Sequence, residues 1–447
     1  MHKYFYFLLV AVLFSSCESN EGASENSFKG SIAWSKTMGG SLQDKTTSAV
    51  ATPDGGLIVV GYTQSNNGDV IKNYDLYDVW VTRMDKNGAV IWNKTFGGSD
   101  NDYGYSIIRT FDNNYVIAGY SGSADYDVSS NEGMHDFYIL KINENGDKLW
   151  SKSYGFSSHD HAHKIIQMRD GGFFVAGFAD YSGLSGQGGD NGEGHQMGKG
   201  VLHGVGEFFG IRLDSNGDFK WYRYYGGMMN DRVNDVVENE DGGVMMVGYT
   251  ESTDFDVEGN RGSYDYWVVN IDFEGHLHWK KTFGGSDIDQ AFGIVKTEFN
   301  SYLIVGQSNS VDGDISNPKG NADVWVIHIN HHGDLLWDKS FGGSQFESAN
   351  GIKRVGYNQY AIIGHSRSSD AEIVNNGQND IFLLQIDANA NTSAHWIKTF
   401  GGTSFDFGVD VAPTDDGKLY LVGDTQSNNL NFAENKGMND RFVIKLE

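Results

Sequence analysis

A tryptophan recurs through this chain at nearly constant spacing, and this repeat constrains the fold more than any other feature. A glycine follows each tryptophan by five residues, and a lysine or arginine follows it by two. Five of the six intervals are 58 or 59 residues, and the remaining one is 71. Self-similarity at a fixed period of this length indicates a chain built from repeated supersecondary units. The seven positions are Trp34, Trp92, Trp150, Trp221, Trp279, Trp337 and Trp396.

Each period has the pattern of four short strands separated by turn sequences. In the second unit the expected strands are 102–109, 115–120, 136–142 and 148–154. Turn-forming residues such as Asp112-Asn113-Asn114 stand between them. Four antiparallel strands per repeat are typical of a β-propeller blade.

The two ends of the repeat region predict how the ring closes. Residues 441–447 match a third strand without its fourth, and residues 31–38 match a fourth strand without its first three. Pairing these two segments completes a blade and leaves no open sheet edge. We therefore predict an all-β, seven-bladed β-propeller over residues 30–447, whose last blade is closed by the N-terminal strand.

The first residues predict export and lipid anchoring. Lys3 precedes an apolar run over 4–14, which is too short to span a bilayer but suits a signal peptide. The small residues before Cys17 resemble a bacterial lipobox, which implies acylation of Cys17. We expect a lipoprotein signal peptide over 1–17, a flexible polar tether over 18–29, and an exported protein anchored to the outer membrane by its N-terminal lipid.

Composition excludes several classes of function. Removing residues 1–16 leaves 59 acids against 32 lysines and arginines. So acidic a body argues against nucleic acid as a partner and against adsorption to anionic lipid. Cys17 is the only cysteine, which excludes intramolecular disulfides and cysteine-rich zinc sites.

The sequence around the second tryptophan resembles known propeller repeats. Residues 84–92, Met-Asp-Lys-Asn-Gly-Ala-Val-Ile-Trp, resemble the tryptophan-docking repeat of quinoprotein-like propellers. The whole unit is similar to tandem-repeat propellers of Bacteroidetes envelope lipoproteins. This resemblance implies a scaffold and not a ligand. It does not extend to quinone catalysis, because the adjacent cysteine pair of many such dehydrogenases is absent.

The residues repeated in every blade favour structural roles. The tryptophans are expected to pack between blades. Lys94 is expected to face Trp80 and to lie diagonal to Asp78 as part of a ring of cross-strand ion pairs. A further acid follows each Gly-Gly link, and it predicts either a cap on the link's backbone or a ring of ligand-binding carboxylates at the channel mouth. Candidate ligand-binding residues among these acids are Asp102, Asp160, Asp231 and Asp289.

Acidic and aromatic residues alternate in the long loops between second and third strands. Tyr126-Asp127 and Phe255-Asp256 are candidate ligand-binding pairs. Carboxylates beside aromatic rings suit a glycan, and clustered carboxylates suit a hard divalent cation such as Ca²⁺. Solvated polar loops without a ligand are the alternative interpretation. A divalent cation is the one cofactor that this pattern indicates.

The third unit departs from the repeat. A glycine-rich insert over 179–210 lengthens it, and histidines occur in the first strand and in the insert. Such a group predicts a metal or catalytic site, an inert loop, or a contact with a partner. We expect the insert to cover the channel mouth and at least two of these histidines to come within metal-ligand reach. The candidate ligands are His159, His161, His163, His195 and His203.

Together these patterns favour non-catalytic recognition at the cell envelope, with the loop-bearing face binding a glycan or a protein. One alternative is a glycan-active enzyme, a hydrolase or metal-dependent lyase, that uses the histidine-rich third blade. Another is a scaffold subunit of an outer-membrane assembly.

Overall fold

The structure is a computed structural model that describes residues 30–156, 158–179, 206–371, 373–389 and 396–447. The leader with Cys17, the tether over 18–29, and His195 and His203 of the insert lie outside these ranges. All regular secondary structure within them is β-strand. None of this part of the chain forms a helix with the length and apolar character needed to cross a membrane.

The strands form seven antiparallel sheets of four, each a blade. Blade 1 comprises β2 (Asp44–Ala51), β3 (Leu57–Thr63), β4 (Asp78–Met84) and β5 (Val90–Phe96). Blade 2 comprises β6 (Asp102–Arg109), β7 (Tyr115–Ser121), β8 (Asp136–Ile142) and β9 (Lys148–Tyr154). Blade 3 comprises β10 (Asp160–Gln167), β11 (Phe173–Ala179), β12 (Glu207–Leu213) and β13 (Phe219–Tyr225). Blades 4 and 5 comprise β14 (Asp231–Glu238), β15 (Val244–Thr250), β16 (Asp265–Ile271), β17 (Leu277–Phe283); and β18 (Asp289–Lys296), β19 (Ser301–Ser308), β20 (Asp323–Asn330), β21 (Leu335–Phe341). Blades 6 and 7 comprise β22 (Glu347–Gly356), β23 (Gln359–Ser366), β24 (Asp380–Ile386), β25 (Trp396–Phe400); and β26 (Asp406–Pro413), β27 (Leu419–Thr425), β28 (Asp440–Leu446), β1 (Ile32–Met38).

Burial along the strands follows their position in the blade. The third strand β8 is buried at every residue, because neighbouring blades cover both of its faces. The first strand β6 begins with alternating buried and half-buried residues, and the fourth strand β9 is exposed or half-buried. The apolar core lies between adjacent blades, as where Val60 and Val81 of blade 1 pack with Ile117 and Leu140 of blade 2.

The predicted closure is confirmed. Strand β1 pairs antiparallel with β28, with Met38 opposite Arg441 and Ile32 opposite Leu446. The Met38 side chain is buried in a core shared by blades 7 and 1. The seven-bladed, all-β architecture with four strands per blade is therefore the fold of this chain.

Each repeated tryptophan lies on the following blade, as the packing interpretation expected. The indole Nε1 of Trp34 donates a hydrogen bond to the Lys86 carbonyl at 3.2 Å. The ring lies against Gly88, where a Cβ would meet it at 3.2 Å. Gly88 has a φ of 85°, so a side chain at this turn would be both strained and obstructed. The tryptophans thus join each blade to the next by packing and hydrogen bonding.

The predicted ion pair between Lys94 and Asp78 is wrong. A bulge near the β4–β5 turn shifts the register by one residue, so that Lys94 pairs with Val81 instead of Trp80. A one-residue shift turns a side chain to the other face of the sheet. The Lys94 Nζ instead lies 3.0 Å from Asp147 of blade 2. Equivalent contacts to the next blade join Lys152 with Asp218 and Lys281 with Asp334.

Deleting residues 31–38 is expected to expose the edge of β28 and to open the core around Met38. An unpaired hydrophobic edge strand promotes association between molecules. We expect a lower Tm and aggregation, measured by thermal unfolding and light scattering. A truncation that removes only residues 18–29 is the control and should stay monomeric. A monomeric 31–38 deletion with an unchanged Tm would contradict the closure.

Candidate functional site

The acids that follow the Gly-Gly links are buried hydrogen-bond acceptors. Asp102 is 0% exposed, and its Oδ2 accepts the Gly98 N–H at 2.6 Å and the Ser123 hydroxyl at 2.8 Å. The Ser121 hydroxyl donates to its Oδ1. Each of the other three candidates is also 0% exposed and accepts a link N–H: Asp160 from Phe156, Asp231 from Gly227, Asp289 from Gly285. These contacts fit the backbone-cap alternative, and ligand binding by the four carboxylates stays a prediction.

A second carboxylate faces the first across the link glycine. Asp78 Oδ1 and Asp102 Oδ2 lie 2.2 and 2.5 Å from the position that a Cβ on Gly97 would take. Only glycine fits between them. Burial raises the pKa of Asp78, and together with the nearby charge of Asp102 it brings that pKa to about 7. Burial likewise raises the pKa of Asp102 to about 6.

The loop pairs predicted to bind a ligand also contact the links. The Asp127 N–H donates to the Gly97 carbonyl at 3.0 Å, and its Oδ1 accepts the Lys148 ammonium at 2.7 Å. The Asp256 N–H donates to the Gly226 carbonyl at 3.1 Å. Tyr126 and Phe255 both have a φ of 49°, a region that non-glycine residues seldom adopt. Ligand binding by these four residues stays a prediction.

The residues that differ most between blades face the central channel. Every first strand has a β-bulge after its third residue. Bulges re-aim side chains and recur beside functional sites. The bulged residues from blade 1 to blade 7 are Thr47, Tyr105, His163, Asn234, Phe292, Asn350 and Val409. The second residues of the same strands are Lys45, Tyr103, His161, Arg232, Gln290, Ser348 and Phe407.

Aromatic rings crowd one side of this channel, in what we call the aromatic sector: Tyr62, Tyr77, Tyr103, Tyr105, Tyr120 and Phe178. The ring centroid of Tyr103 lies 4.5 Å from that of Tyr62 and 4.7 Å from that of Tyr120. Tyr103 and Tyr77 are half-buried and reach solvent at the mouth. The Arg232 guanidinium lies 3.6 Å above the Phe178 ring at the sector's edge. The sector therefore presents apolar ring faces, phenol hydroxyls and one guanidinium in a single concave region.

Three histidines meet beside the aromatic sector. His135 Nδ1 lies 3.0 Å from His161 Nε2 and 3.0 Å from His159 Nδ1. Two predicted ligands, His159 and His161, are thus brought together with a histidine that the sequence reasoning missed. Burial lowers the pKa of His161, and together with neighbouring histidines and Arg232 it brings that pKa to about 2. The His161 imidazole is therefore neutral at physiological pH.

His163 lies deeper and apart from that group. Its Nδ1 is 2.9 Å from the Val233 carbonyl oxygen, and its ring is 5.5 Å from Tyr105. Burial lowers its pKa to about 4. Below it, Lys164 pairs with Asp235 at 2.9 Å within the channel. The cavity at this level is only about 90 Å³ and is lined by first strands of all seven blades, so a ligand at the mouth meets a nearly closed floor.

A larger cavity of about 440 Å³ lies on the opposite side of the ring, at the junction of blades 7 and 1. Trp34, Asp54, Lys86 and Asp416 are among its lining residues. Most of them belong to turn positions that recur in the other blades, as Asp54-Gly55 does at Asp170-Gly171. The channel positions instead differ from blade to blade, and for that reason we favour the channel mouth.

The sequence contained a usable signal for the residues that were missed. Alternate residues of a strand project to the same side, which places His161 beside His163 on β10 and Tyr103 beside Tyr105 on β6. His135 precedes the third-strand acid Asp136 as His159 precedes Asp160. The two histidines form a parallel β-bridge, which is a contact between blades.

Comparisons with known proteins support the fold alone. No protein-family model matches the chain, and no curated protein matches it. Among solved structures, the polysaccharide lyase Uly1 is similar with a TM-score of 0.51 and 11% identity, covering 97% of this chain and 95% of that one. A Dyadobacter fermentans protein of unknown function is similar with a TM-score of 0.45 and 9% identity, covering 93% and 99%.

The raised pKa of Asp78 predicts a pH-dependent effect of Asp78→Asn. A carboxyl whose pKa is about 7 in the folded state, against an ordinary value of 3.8, is more protonated in the folded than in the unfolded state between these two pH values. Its contribution to stability is therefore present at low pH and lost as the pH rises through 7. We expect the free energy of unfolding of Asp78→Asn, relative to that of wild type, to increase from pH 5 to pH 8. Urea unfolding at both pH values measures it.

The wild-type slope alone does not isolate Asp78, because neutral buried histidines such as His161 act in the opposite direction. Asp147→Asn is the control, since Asp147 is exposed and its pKa is lowered, chiefly by the hydrogen bond from Lys94. Its effect should be the same at pH 5 and pH 8. An equal effect of Asp78→Asn at both pH values would show that this carboxyl is ionised throughout.

Proposed function

We propose that this protein recognises a glycan at the channel mouth, over the aromatic sector. The observation that carries the proposal is the unbroken contact between rings from Tyr62 through Tyr103 and Tyr120 to His161. The Tyr120 and His161 rings stack at 3.6 Å with 10° between their planes. Ring faces suit the apolar faces of sugars, while phenol and imidazole groups hydrogen-bond to hydroxyls.

The distribution of variable residues supports a site at this place. Positions that are the same in every blade build the links and the core, and they give no blade an individual role. The channel-facing positions instead bring tyrosine, histidine, arginine and lysine side chains to one region. A few convergent polar groups among apolar ones are typical of small-molecule and saccharide sites.

The fold is compatible with glycan chemistry, since a polysaccharide lyase has a similar architecture. Similarity of fold does not transfer an activity, so the argument rests on the residues of the mouth. Binding is the primary proposal because the described part of the chain presents a platform of rings.

A glycan-active lyase is the second candidate, and the neighbouring His161 and Arg232 favour it. In β-elimination a base removes the proton next to a uronate carboxylate, the bond to the glycosidic oxygen breaks, a double bond forms, and the leaving oxygen is protonated. A neutral imidazole supplies an acceptor for the proton, and a guanidinium neutralises the carboxylate. Both groups contact Phe178: the His161 ring centroid lies 4.8 Å from that of Phe178, and the Arg232 guanidinium lies 3.6 Å from it.

Tyr103→Ala tests the site. Tyr103 has ring contacts with four tyrosines of the sector, so its loss should weaken glycan binding about tenfold or more. Binding is measured by affinity electrophoresis and calorimetry against neutral glucans and uronate polymers. Tyr357→Ala is the matched control, because Tyr357 is 75% exposed on the turn between β22 and β23, at the opposite face.

The outcomes separate the two candidates. Binding without a change in ultraviolet absorbance supports recognition, whereas accumulation of the conjugated double bond during incubation with uronate polymers supports the lyase. Arg232→Gln should weaken binding of uronate polymers and leave neutral glucans unaffected. If wild type binds no polymer, or if Tyr357→Ala and Tyr103→Ala lose binding equally, the mouth is not a glycan site.

We further propose that the protein works at the cell envelope, held there by acylated Cys17. The support is the apolar run over 4–14 followed by small residues before the single cysteine. Cys17→Ser should move the protein from the membrane fraction to the soluble fraction in a bacterial host with lipoprotein processing. A C17S protein that stays in the membrane fraction would contradict lipid anchoring.

A further inference from the structure

The three histidines beside the aromatic sector come from two blades and are fixed by backbone contacts. His135 ends the loop before β8, His159 lies just before β10, and His161 is the second residue of β10. The Asp160 N–H donates to the His135 carbonyl at 2.8 Å. This bond holds the segments carrying His135 and His159 side by side, independently of what the rings contact.

Hydrogen bonds alone do not account for the short distances between the nitrogens of the three rings. His135 Nδ1 faces His161 Nε2 and His159 Nδ1, each at 3.0 Å. A neutral imidazole nitrogen carries either one hydrogen or one lone pair, so it completes only one such bond well. Two nitrogens of a tetrahedral zinc site, each about 2.0–2.1 Å from the ion, are about 3.3 Å apart. The observed spacing is close to that of a metal triad.

The surroundings of His161 hold its ring in place. Tyr120 stacks on the His161 ring, and the Phe178 ring lies 4.8 Å from it. Asp100 lies near His135: a Cβ on Gly122 would meet Asp100 at 3.2 Å and His135 at 3.3 Å.

The pair of histidines at the junction of blades 2 and 3 is a departure from the repeat. The same two positions at the other junctions hold no second histidine pair. They are Tyr77 with Asn101, Gly206 with Asn230, Tyr264 with Ile288, Ala322 with Phe346, Asn379 with Phe405, and Asn439 with Gln43. The bridge between the two positions does not itself require histidine, because it forms with other residues at Tyr264 and Ile288.

We propose that His135 Nδ1, His159 Nδ1 and His161 Nε2 bind one divalent first-row transition-metal ion, of which Zn²⁺ is the probe. All three nitrogens lie within 4.8 Å of one another. Nitrogen donors select zinc, copper, nickel or cobalt over calcium and magnesium, which prefer oxygen ligands. Three protein ligands leave a further position open, and the half-buried site at the mouth leaves that position within reach of a sugar hydroxyl or water. The site does not depend on the proposed glycan binding.

The test uses the full chain, treated with a chelator and then desalted. Zn²⁺ titration by calorimetry should give one site per chain, and Co²⁺ should give the visible absorption of a four-coordinate site. His135→Ala and His161→Ala should each weaken Zn²⁺ binding by about 100-fold or more. Removing a residue that only hydrogen-bonds to a metal ligand already lowers metal affinity by about 10–100-fold, and these variants remove a ligand itself. Thermal unfolding without metal verifies that each variant is folded.

Two controls separate this site from other histidines. His276→Ala removes the histidine of an exposed group with Asp272 and Glu274, and His163→Gln changes the neighbouring histidine in the channel. Both should retain Zn²⁺ binding. His159 lies just before β10, so His159→Asn gives a further variant if His161→Ala in β10 fails to fold. A wild type that binds no Zn²⁺ and no Co²⁺, or a His135→Ala variant that binds as wild type does, overturns the proposal.

Discussion

The hydrogen bonds between the first-strand acid and the Gly-Gly link are the contacts on which the rest of this structure depends. A buried carboxylate such as that of Asp102 accepts one link N–H, the hydroxyl of Ser121 at the end of the second strand, and the hydroxyl of Ser123 just after it. An arrangement that left these buried groups without hydrogen-bond partners would lose on the order of several kcal/mol of folding free energy in total, so the native arrangement is strongly preferred. It fixes where each first strand begins and therefore which side chains reach the channel.

This repeated scaffold explains why the variable residues are concentrated at the mouth. Tryptophan docking and the link acids join each blade to the next, which leaves the ring closed and the core between blades filled. The bulge adds one residue to each first strand while the register between the second and third strands stays regular, and the second residue and the bulged residue of the first strand face the channel. Side chains can differ there from blade to blade because those positions carry no link or core contact that every blade needs.

Blades 1 to 3 use this freedom differently from blades 4 to 7. The channel positions of blades 2 and 3 hold tyrosines and histidines, and Tyr62 and Tyr77 of blade 1 contact Tyr103. The three-histidine group adjoins these rings through the stacking of His161 on Tyr120. The proposed glycan and metal sites are thus neighbours that share a wall. A ligand held over Tyr103 would lie close to an ion held by His135, although each site is defined by its own residues.

Local patterns in the sequence determined the blade count, the four strands per blade, the closure by residues 31–38 and the packing of the tryptophans, since strand periodicity, turn chemistry and repeat spacing are read over short stretches. The predicted partner of Lys94 was wrong because one bulged residue near the β4–β5 turn places the lysine side chain on the other face of the sheet. The sequence pattern of a single strand does not reveal such a bulge. His135 and the aromatic sector depend on contacts between adjacent blades. Only the tertiary structure decided these, because which side chains converge follows from how the blades are set around the channel and not from the spacing of residues along the chain.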